Sequence, residues 1–310
     1  MRDARARLAG QSVLTPVLTC EALDEQTGRQ VVLKCENLQR GGAFKFRGAY
    51  NAISRLSDEE RSRGIVTYSS GNHAQAVALV GKMMGIPVTV VMPRNSSEAK
   101  RQATLSHGAR VLECEPAERE QVAAAIQAES GAALIPPFDH PDIIAGQGTL
   151  ALELHEQAPA LDAVFVPVGG GGLISGVAIA AKAVNHGCAV IGVEPESGDD
   201  AARSLHSGTL HTCEHCMSIA DGTRTRSLGK LTFPLVRRFV DDIVTVSESE
   251  IAEAVRFLFQ RVQLVVEPSG ALGVAALLSG RCRPASRAGV VLSGGNVDAD
   301  VMARILDRKL

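Results

Sequence analysis

From residue 64 onward the apolar positions follow two alternating rhythms. Short runs at 65–68, 88–92, 110–114 and 132–135 are strand-like, and the segments between them, 74–84, 97–107 and 118–129, repeat their apolar residues at helical spacing. Strand, helix, strand in succession predicts a parallel sheet with crossover helices. A second series follows, with a helix over 143–157, a strand over 163–168, a helix over 173–185 and a strand over 189–193. Beyond it come a strand over 242–246, helices within 248–278, a strand over 289–292 and a closing helix from Asp298. The opening segment offers one extended piece, 31–35, and then Gly41-Gly42-Ala43-Phe44-Lys45-Phe46-Arg47-Gly48-Ala49. The Ser57-Asp58-Glu59-Glu60 stretch has the serine and glutamate spacing of a capping box, which predicts a helix start. No repeat or low-complexity linker divides the two series. The expected fold is α/β, with parallel-rich twisted sheets flanked by helices. A large domain is expected from residues 1–57 and 140–310, with a smaller one, 58–139, inserted into it and a cleft between them as the place for a site.

Composition narrows the functional classes. With 310 residues the chain can bury a substantial core, and a formal net charge of -2 with 3% aromatic residues gives nothing to bind nucleic acid or an anionic membrane surface. The longest apolar stretch, 163–184, is broken by Pro167, Gly169 to Gly172 and Lys182, so it reads as a buried strand, turn and helix and not as a membrane span. The N-terminus carries arginines without an apolar run behind them, so no secretory signal is expected. Seven scattered cysteines fit reduced thiols in the cytoplasm.

Four motifs fall at turns after expected strands, where open α/β sheets bind ligands. Ser69-Ser70-Gly71-Asn72-His73 offers hydroxyls and helix-start amides to a carboxylate, or is an ordinary helix cap. Val168-Gly169-Gly170-Gly171-Gly172-Leu173 lets the backbone wrap an anion closely, and a phosphate is its natural occupant. A dinucleotide fingerprint there fails on spacing, because Ile174 or Ser175 stands where a third glycine is required. Ser293-Gly294-Gly295-Asn296 presents a hydroxyl to a ring nitrogen, or is a turn. Glu194-Pro195-Glu196-Ser197-Gly198-Asp199-Asp200 has the oxygen density of a magnesium or calcium site, although acids at a helix start also stabilise its dipole. Lys45, between Phe44 and Phe46, is a candidate Schiff-base lysine because desolvation lowers an amine pKa; a snorkelling lysine is the alternative. His211-Thr212-Cys213-Glu214-His215-Cys216 has a Cys-x-x-Cys pair, but no second pair completes a zinc site.

Taken in order, the lysine stretch, Ser-Ser-Gly-Asn-His, Ala145-Gly146-Gln147-Gly148-Thr149, the tetraglycine, Ala220-Asp221-Gly222, Glu267-Pro268 and Ser-Gly-Gly-Asn resemble the fold-type-II pyridoxal-phosphate enzymes of the serine/threonine dehydratase and serine racemase group. The match runs from about Thr15-Pro16 to Asn296, and the fold it implies is two-domain and like that of the tryptophan synthase β chain. The resemblance implies pyridoxal 5'-phosphate as cofactor, with Lys45 as its aldimine lysine. Gly169, Gly170, Gly171 and Gly172 would cradle its phosphate, Asn72 would partner its 3-hydroxyl and Ser293 its pyridine nitrogen. Phe44 and Glu267 complete the cofactor set. Ser69, Ser70, Gly71, Asn72 and His73 would hold the substrate, with Ser70 on the face opposite the lysine. Glu194, the Gly198 carbonyl and Asp200 match a divalent-cation site. Phe138 stands where some racemases have asparagine, a dehydratase-like departure. Arg119 aligns with an arginine that some relatives place near the distal end of the substrate, in a loop about two residues shorter here, and the alternative is an exposed helix arginine. Thr225 matches a substrate-contacting position.

The activity implied is β-elimination of L-serine, L-threonine or a related β-hydroxy amino acid to a 2-oxo acid and ammonia. A serine at the pyridine nitrogen does not hold it protonated as a carboxylate would, so a long-lived carbanion is disfavoured. Racemisation of serine or aspartate, or dehydration of 3-hydroxyaspartate, is the alternative on the same scaffold. A nicotinamide-dependent oxidoreductase and a non-catalytic amino-acid sensor are the readings from other classes. A homodimer is expected, and isoleucine feedback control is not, because little chain follows the Ser-Gly-Gly-Asn turn.

Overall fold

The computed structural model describes residues 1–214, 216–281 and 285–309. Among them, ten strands form two sheets. β3 (Ile65–Tyr68), β4 (Val88–Pro93), β5 (Arg110–Cys114) and β6 (Ala133–Leu134) make the smaller one, in the order β5-β4-β3-β6 and parallel throughout. The larger sheet has the order β1-β2-β10-β7-β8-β9. It is built from β1 (Val17–Thr19), β2 (Gln30–Cys35), β7 (Ala163–Pro167), β8 (Ala189–Pro195), β9 (Asp242–Val246) and β10 (Arg287–Leu292). Its pairings are parallel except for β1 on β2, where Leu18 faces Leu33 in antiparallel register.

The larger sheet is covered on both faces, which is why its strands are continuously apolar. Leu33, Cys35, Phe165, Val290 and Leu292 join one core with the helices Glu248–Phe257 and Pro268–Leu278. Val32, Val164, Val166 and Val291, one residue out of phase, join another with Thr149–Gln157 and Gly172–Val184. The smaller sheet packs its own cluster, in which Ile65, Val77 and Val90 meet Phe46, Ala49 and Ile53 of the helix Lys45–Ser54. The capping box forms: Ser57 Oγ accepts from the Glu60 amide at 3.2 Å and Glu60 Oε2 accepts from the Ser57 amide at 2.8 Å, opening the helix Asp58–Arg63.

Three expectations are corrected. The helix over 143–157 is two helices, Pro141–Gln147 and Thr149–Gln157, meeting at Gly148. The helix Gly172–Val184 crosses there so closely that a Cβ on Gly148 would lie 2.6 Å from the Gly176 carbonyl oxygen. The opening segment holds more than one extended piece: helix Arg2–Leu8, β1 and helix Glu21–Thr27 are too short to show a period. The helix Thr232–Phe239, eight residues long, lies outside the expected elements, whereas the acidic turn does open a helix, Asp200–Ser207.

Candidate active site

The lysine stretch is stitched to the turn after β10. The Phe44 amide donates to the Ser293 carbonyl at 3.0 Å, the Gly295 amide donates to the Gly42 carbonyl at 2.9 Å, and Ala43 bridges Gly294. Lys45 thus begins its helix at the carboxyl end of the larger sheet. Its Nζ donates to the Pro137 carbonyl at 2.6 Å and lies 5.2 Å from the centre of the Phe44 ring. Burial of the amine lowers its pKa to about 8, against an opposing pull from Glu267.

A polar chain runs from this turn to the smaller sheet. Asn296 Nδ2 donates to the Gly41 carbonyl at 2.7 Å and to Asn72 Oδ1 at 2.9 Å, and Asn72 Nδ2 donates to Glu267 Oε1 at 2.7 Å. Burial, and then Asp221, push the Glu267 carboxyl up to about 8. Asn72 opens the helix Asn72–Met84, whose first amides have no intrahelical acceptor. The Ser69 hydroxyl accepts from the Gly71 amide at 3.2 Å. His73 is buried beside Lys45, its Nε2 is 3.0 Å from the Ile135 carbonyl, and burial lowers its pKa to about 3, so it is neutral. It therefore offers the loop a backbone amide and no positive charge.

The tetraglycine follows β7. Gly171 has φ 86°, the left-handed region, and caps the helix Gly172–Val184. A Cβ on Gly170 would sit 2.4 Å from the Phe138 ring, so side chains are excluded and the amides stay bare. Phe44, Lys45, Ser69 to His73, Arg119, Gly169 to Gly172, Thr225, Glu267 and Ser293 all line one cleft of about 620 Å3. Thr225 Oγ1 there is buried without a partner. Three lining groups escaped motif reading: the Pro137 carbonyl, Tyr68, and Lys100, which is paired with Asp221. Lys100 and Asp221 are 121 residues apart, and no local pattern joins them.

The acidic turn lies apart from this cleft wall, after β8. Glu194 is buried and its two carboxylate oxygens accept from the Ala201 and Ala202 amides at 3.3 and 2.8 Å, at the start of the helix Asp200–Ser207. Burial, and then Asp200, push its carboxyl well up, and burial pushes Asp200 up to about 7. Asp200 Oδ2 is buried without a partner, and the Gly198 backbone is buried beside it. Among the described residues no group of three or more His, Cys, Asp or Glu side chains is placed to hold a metal ion. The sulfurs of Cys213 and Cys216 lie side by side, while Cys20, Cys35, Cys114 and Cys188 are free thiols. His211 Nε2 is 2.9 Å from Ser207 Oγ, and His215 lies outside the described residues.

A tight glycine cradle, a desolvated lysine and a serine turn at the ends of three strands fit a phosphorylated aldehyde cofactor. The profile of the pyridoxal-phosphate dependent enzymes matches residues 11–294. The chain belongs to this family. The enzyme is 48% identical over 310 residues to the L-threo-3-hydroxyaspartate ammonia-lyase of Saccharomyces cerevisiae, covering 99% of the enzyme and 95% of the relative. It is 46% identical over 306 residues to the serine racemase of Arabidopsis thaliana, covering 96% and 92%. The structure of maize serine racemase superposes with a TM-score of 0.94 at 42% identity, covering 99% of the enzyme and 96% of that chain. No helix among the described residues is long and apolar enough to cross a membrane.

Proposed function

We propose that the enzyme is an ammonia-lyase acting on a β-hydroxy amino acid, releasing a 2-oxo acid and ammonia. The observation that carries this reading is Lys45, an amine whose pKa is brought down to about 8, opposite the bare glycine turn and the Ser69 to His73 loop in one cleft. Gly169 to Gly172 would hold the cofactor phosphate, Asn72 and Ser293 the two polar edges of its ring, and Phe44 and Glu267 its surroundings. When bound, pyridoxal phosphate supplies a conjugated ring that takes up the electron pair left when an amino acid loses its α-proton. Lys45 is poised to take that proton, since a pKa of about 8 leaves a useful fraction of free amine near neutral pH. The helix-start amides of the Ser69 to His73 loop orient the substrate carboxylate and need no cation to do so. Ser293, a neutral hydroxyl, does not stabilise added charge at the ring nitrogen, which favours loss of the β-hydroxyl over return of a proton.

Arg119 and Thr225 line the same cleft, and a second substrate carboxylate, as in 3-hydroxyaspartate, would find a guanidinium there. Racemisation is the second reading, favoured by Ser70, a hydroxyl in the cleft with Lys45, and by the likeness to serine racemases. A divalent cation at Glu194, the Gly198 carbonyl and Asp200 is supported by the unpartnered Asp200 oxygen. The family resemblance supports a homodimer and a cytoplasmic setting.

The test is a panel of serine, threonine and both 3-hydroxyaspartate diastereomers, assayed for ammonia, 2-oxo acid and inverted amino acid. Wild type is expected to release ammonia and 2-oxo acid in equal amounts. Lys45→Ala is expected to lose turnover together with the cofactor's visible absorbance band. Normal turnover in Lys45→Ala would refute the assignment, and inversion without ammonia release would transfer the reading to a racemase.

A further inference from the structure

The Cys213–Cys216 pair has no part in the chemistry above, yet its loop touches the cleft wall. Both cysteines are half-buried, as is the unpaired Cys20, whereas Cys35, Cys114 and Cys188 are buried. Burial pushes the Cys35 thiol up to about 12 and the Cys188 thiol up to about 11, which makes them poor nucleophiles at neutral pH.

The Cys213 amide donates to the Arg226 carbonyl at 2.8 Å, and Cys216 Sγ lies 3.2 Å from the Thr225 carbonyl oxygen. Thr225 and Arg226 both line the cleft. On its other side the loop meets the acidic turn: Cys213 Sγ is 3.6 Å from the Ser197 carbonyl oxygen, and a Cβ on Gly198 would lie 3.6 Å from Cys216 Cβ. The start of the loop is held to the helix Asp200–Ser207, with Arg203 Nη2 donating to the Thr212 carbonyl at 3.2 Å and the His211 amide donating to Ser204 Oγ at 2.8 Å. A joined pair has no S–H to donate, so its sulfurs only abut the Thr225 and Ser197 carbonyls. Opened, each thiol becomes a weak donor aimed at one of those carbonyls, and the crosslink across the loop is gone.

We propose that Cys213 and Cys216 form a thiol–disulfide exchange site for low-molecular-weight disulfides and thiols, whose state sets the cleft wall at Thr225 and Arg226. In closing, a thiolate of the pair attacks a sulfur of the small disulfide, which forms a mixed disulfide and expels one small thiolate. The second cysteine, deprotonated, attacks the protein sulfur of that mixed disulfide, which forms the Cys213–Cys216 bond and expels the second small thiolate. Two electrons pass from the pair to the small disulfide, and the two cysteine protons end on the two released thiols; a small thiol in excess reverses both steps.

The effect on catalysis rests on the cleft being the substrate site, and the exchange itself does not. Holoenzyme equilibrated in glutathione buffers from fully reduced to fully oxidised, quenched with an alkylating agent and peptide-mapped, is expected to show Cys213 and Cys216 passing together from alkylated to joined. Over the same series, amide hydrogen exchange of residues 223–228 is expected to change about fivefold, and KM for the best panel substrate with it. A Cys213→Ser/Cys216→Ser variant is expected to stay at the open value in every buffer. Persistent alkylation at the oxidised end, or closure with unaltered exchange of residues 223–228, would overturn the proposal. Absence of turnover with every panel substrate would sink the lyase reading alone, because the mapping and hydrogen exchange need no substrate.

Discussion

At the scale of single residues, the site depends on where a side chain is forbidden as much as on where one is present. Gly170 and Gly71 both sit in turns after parallel strands and both line the cleft, yet they differ in the space around them. A methyl group on Gly170 would meet the Phe138 ring at 2.4 Å, whereas nothing lies within 4 Å of one on Gly71. Gly170→Ala must therefore push aside either the Phe138 ring, which is half-buried, or the backbone amides proposed to face the phosphate. Cofactor affinity in Gly170→Ala is therefore expected to fall by at least about tenfold, and in Gly71→Ala to stay near that of wild type, as read by fluorescence titration of the apoenzyme. Equal affinities in the two variants would show that the glycine turn does not hold the phosphate.

At the scale of elements, the helix that carries Lys45 is anchored by charge. Arg47, fully buried, donates through Nε and Nη2 to Glu36 at 2.8 Å each, and through Nη1 and Nη2 to Glu153 at 2.7 Å each. Lys34 adds a bond to Glu153 at 2.8 Å, and Thr15 Oγ1 donates to Glu36 at 2.5 Å. Burial pushes Glu36 up most strongly, but Arg47, Thr15 and Lys34 together outweigh it and the net direction is down. Arg47→Met leaves two buried carboxylates facing one lysine, so a loss of about 3–5 kcal/mol is expected, seen as a lower urea midpoint at unchanged slope. None of this was legible in the sequence, where Glu36, Arg47 and Glu153 sit in three separate segments with no shared period. What was legible was contiguous: strand runs such as 65–68 and 110–114, the Ser57 capping box, and the glycine and serine turns whose residues converge on the cleft. Helix breaks at Gly148 escaped because the crossing helix that imposes them is remote in sequence, and the Pro137 carbonyl escaped because a backbone acceptor has no residue signature.

At the scale of the whole molecule, the acidic turn after β8 connects the larger sheet to the loop that walls the cleft, and protonation there would compete with the proposed cation. Asp200 has a folded pKa of about 7 against an ordinary value of 3.8, so between these values the folded chain holds a proton that the unfolded chain has released. Its contribution to stability is therefore greatest below the ordinary value, declines as pH rises toward the folded value, and is flat beyond it. A divalent cation needs the carboxylate and must displace that proton, so the gain in melting temperature on adding magnesium or calcium is expected to be larger at pH 8 than at pH 6, and to vanish on chelation. Glu267, raised to about 8 by burial and Asp221, tilts stability in the same direction, which is why the comparison must be made against Asp200→Asn and not across pH alone. In Asp200→Asn the cation-dependent gain should be lost at both pH values while the Glu267 slope remains. A cation gain that is the same at pH 6 and pH 8, or that survives Asp200→Asn, would place the ion elsewhere. Glu194 would then be no more than a carboxylate capping the helix Asp200–Ser207 through the Ala201 and Ala202 amides.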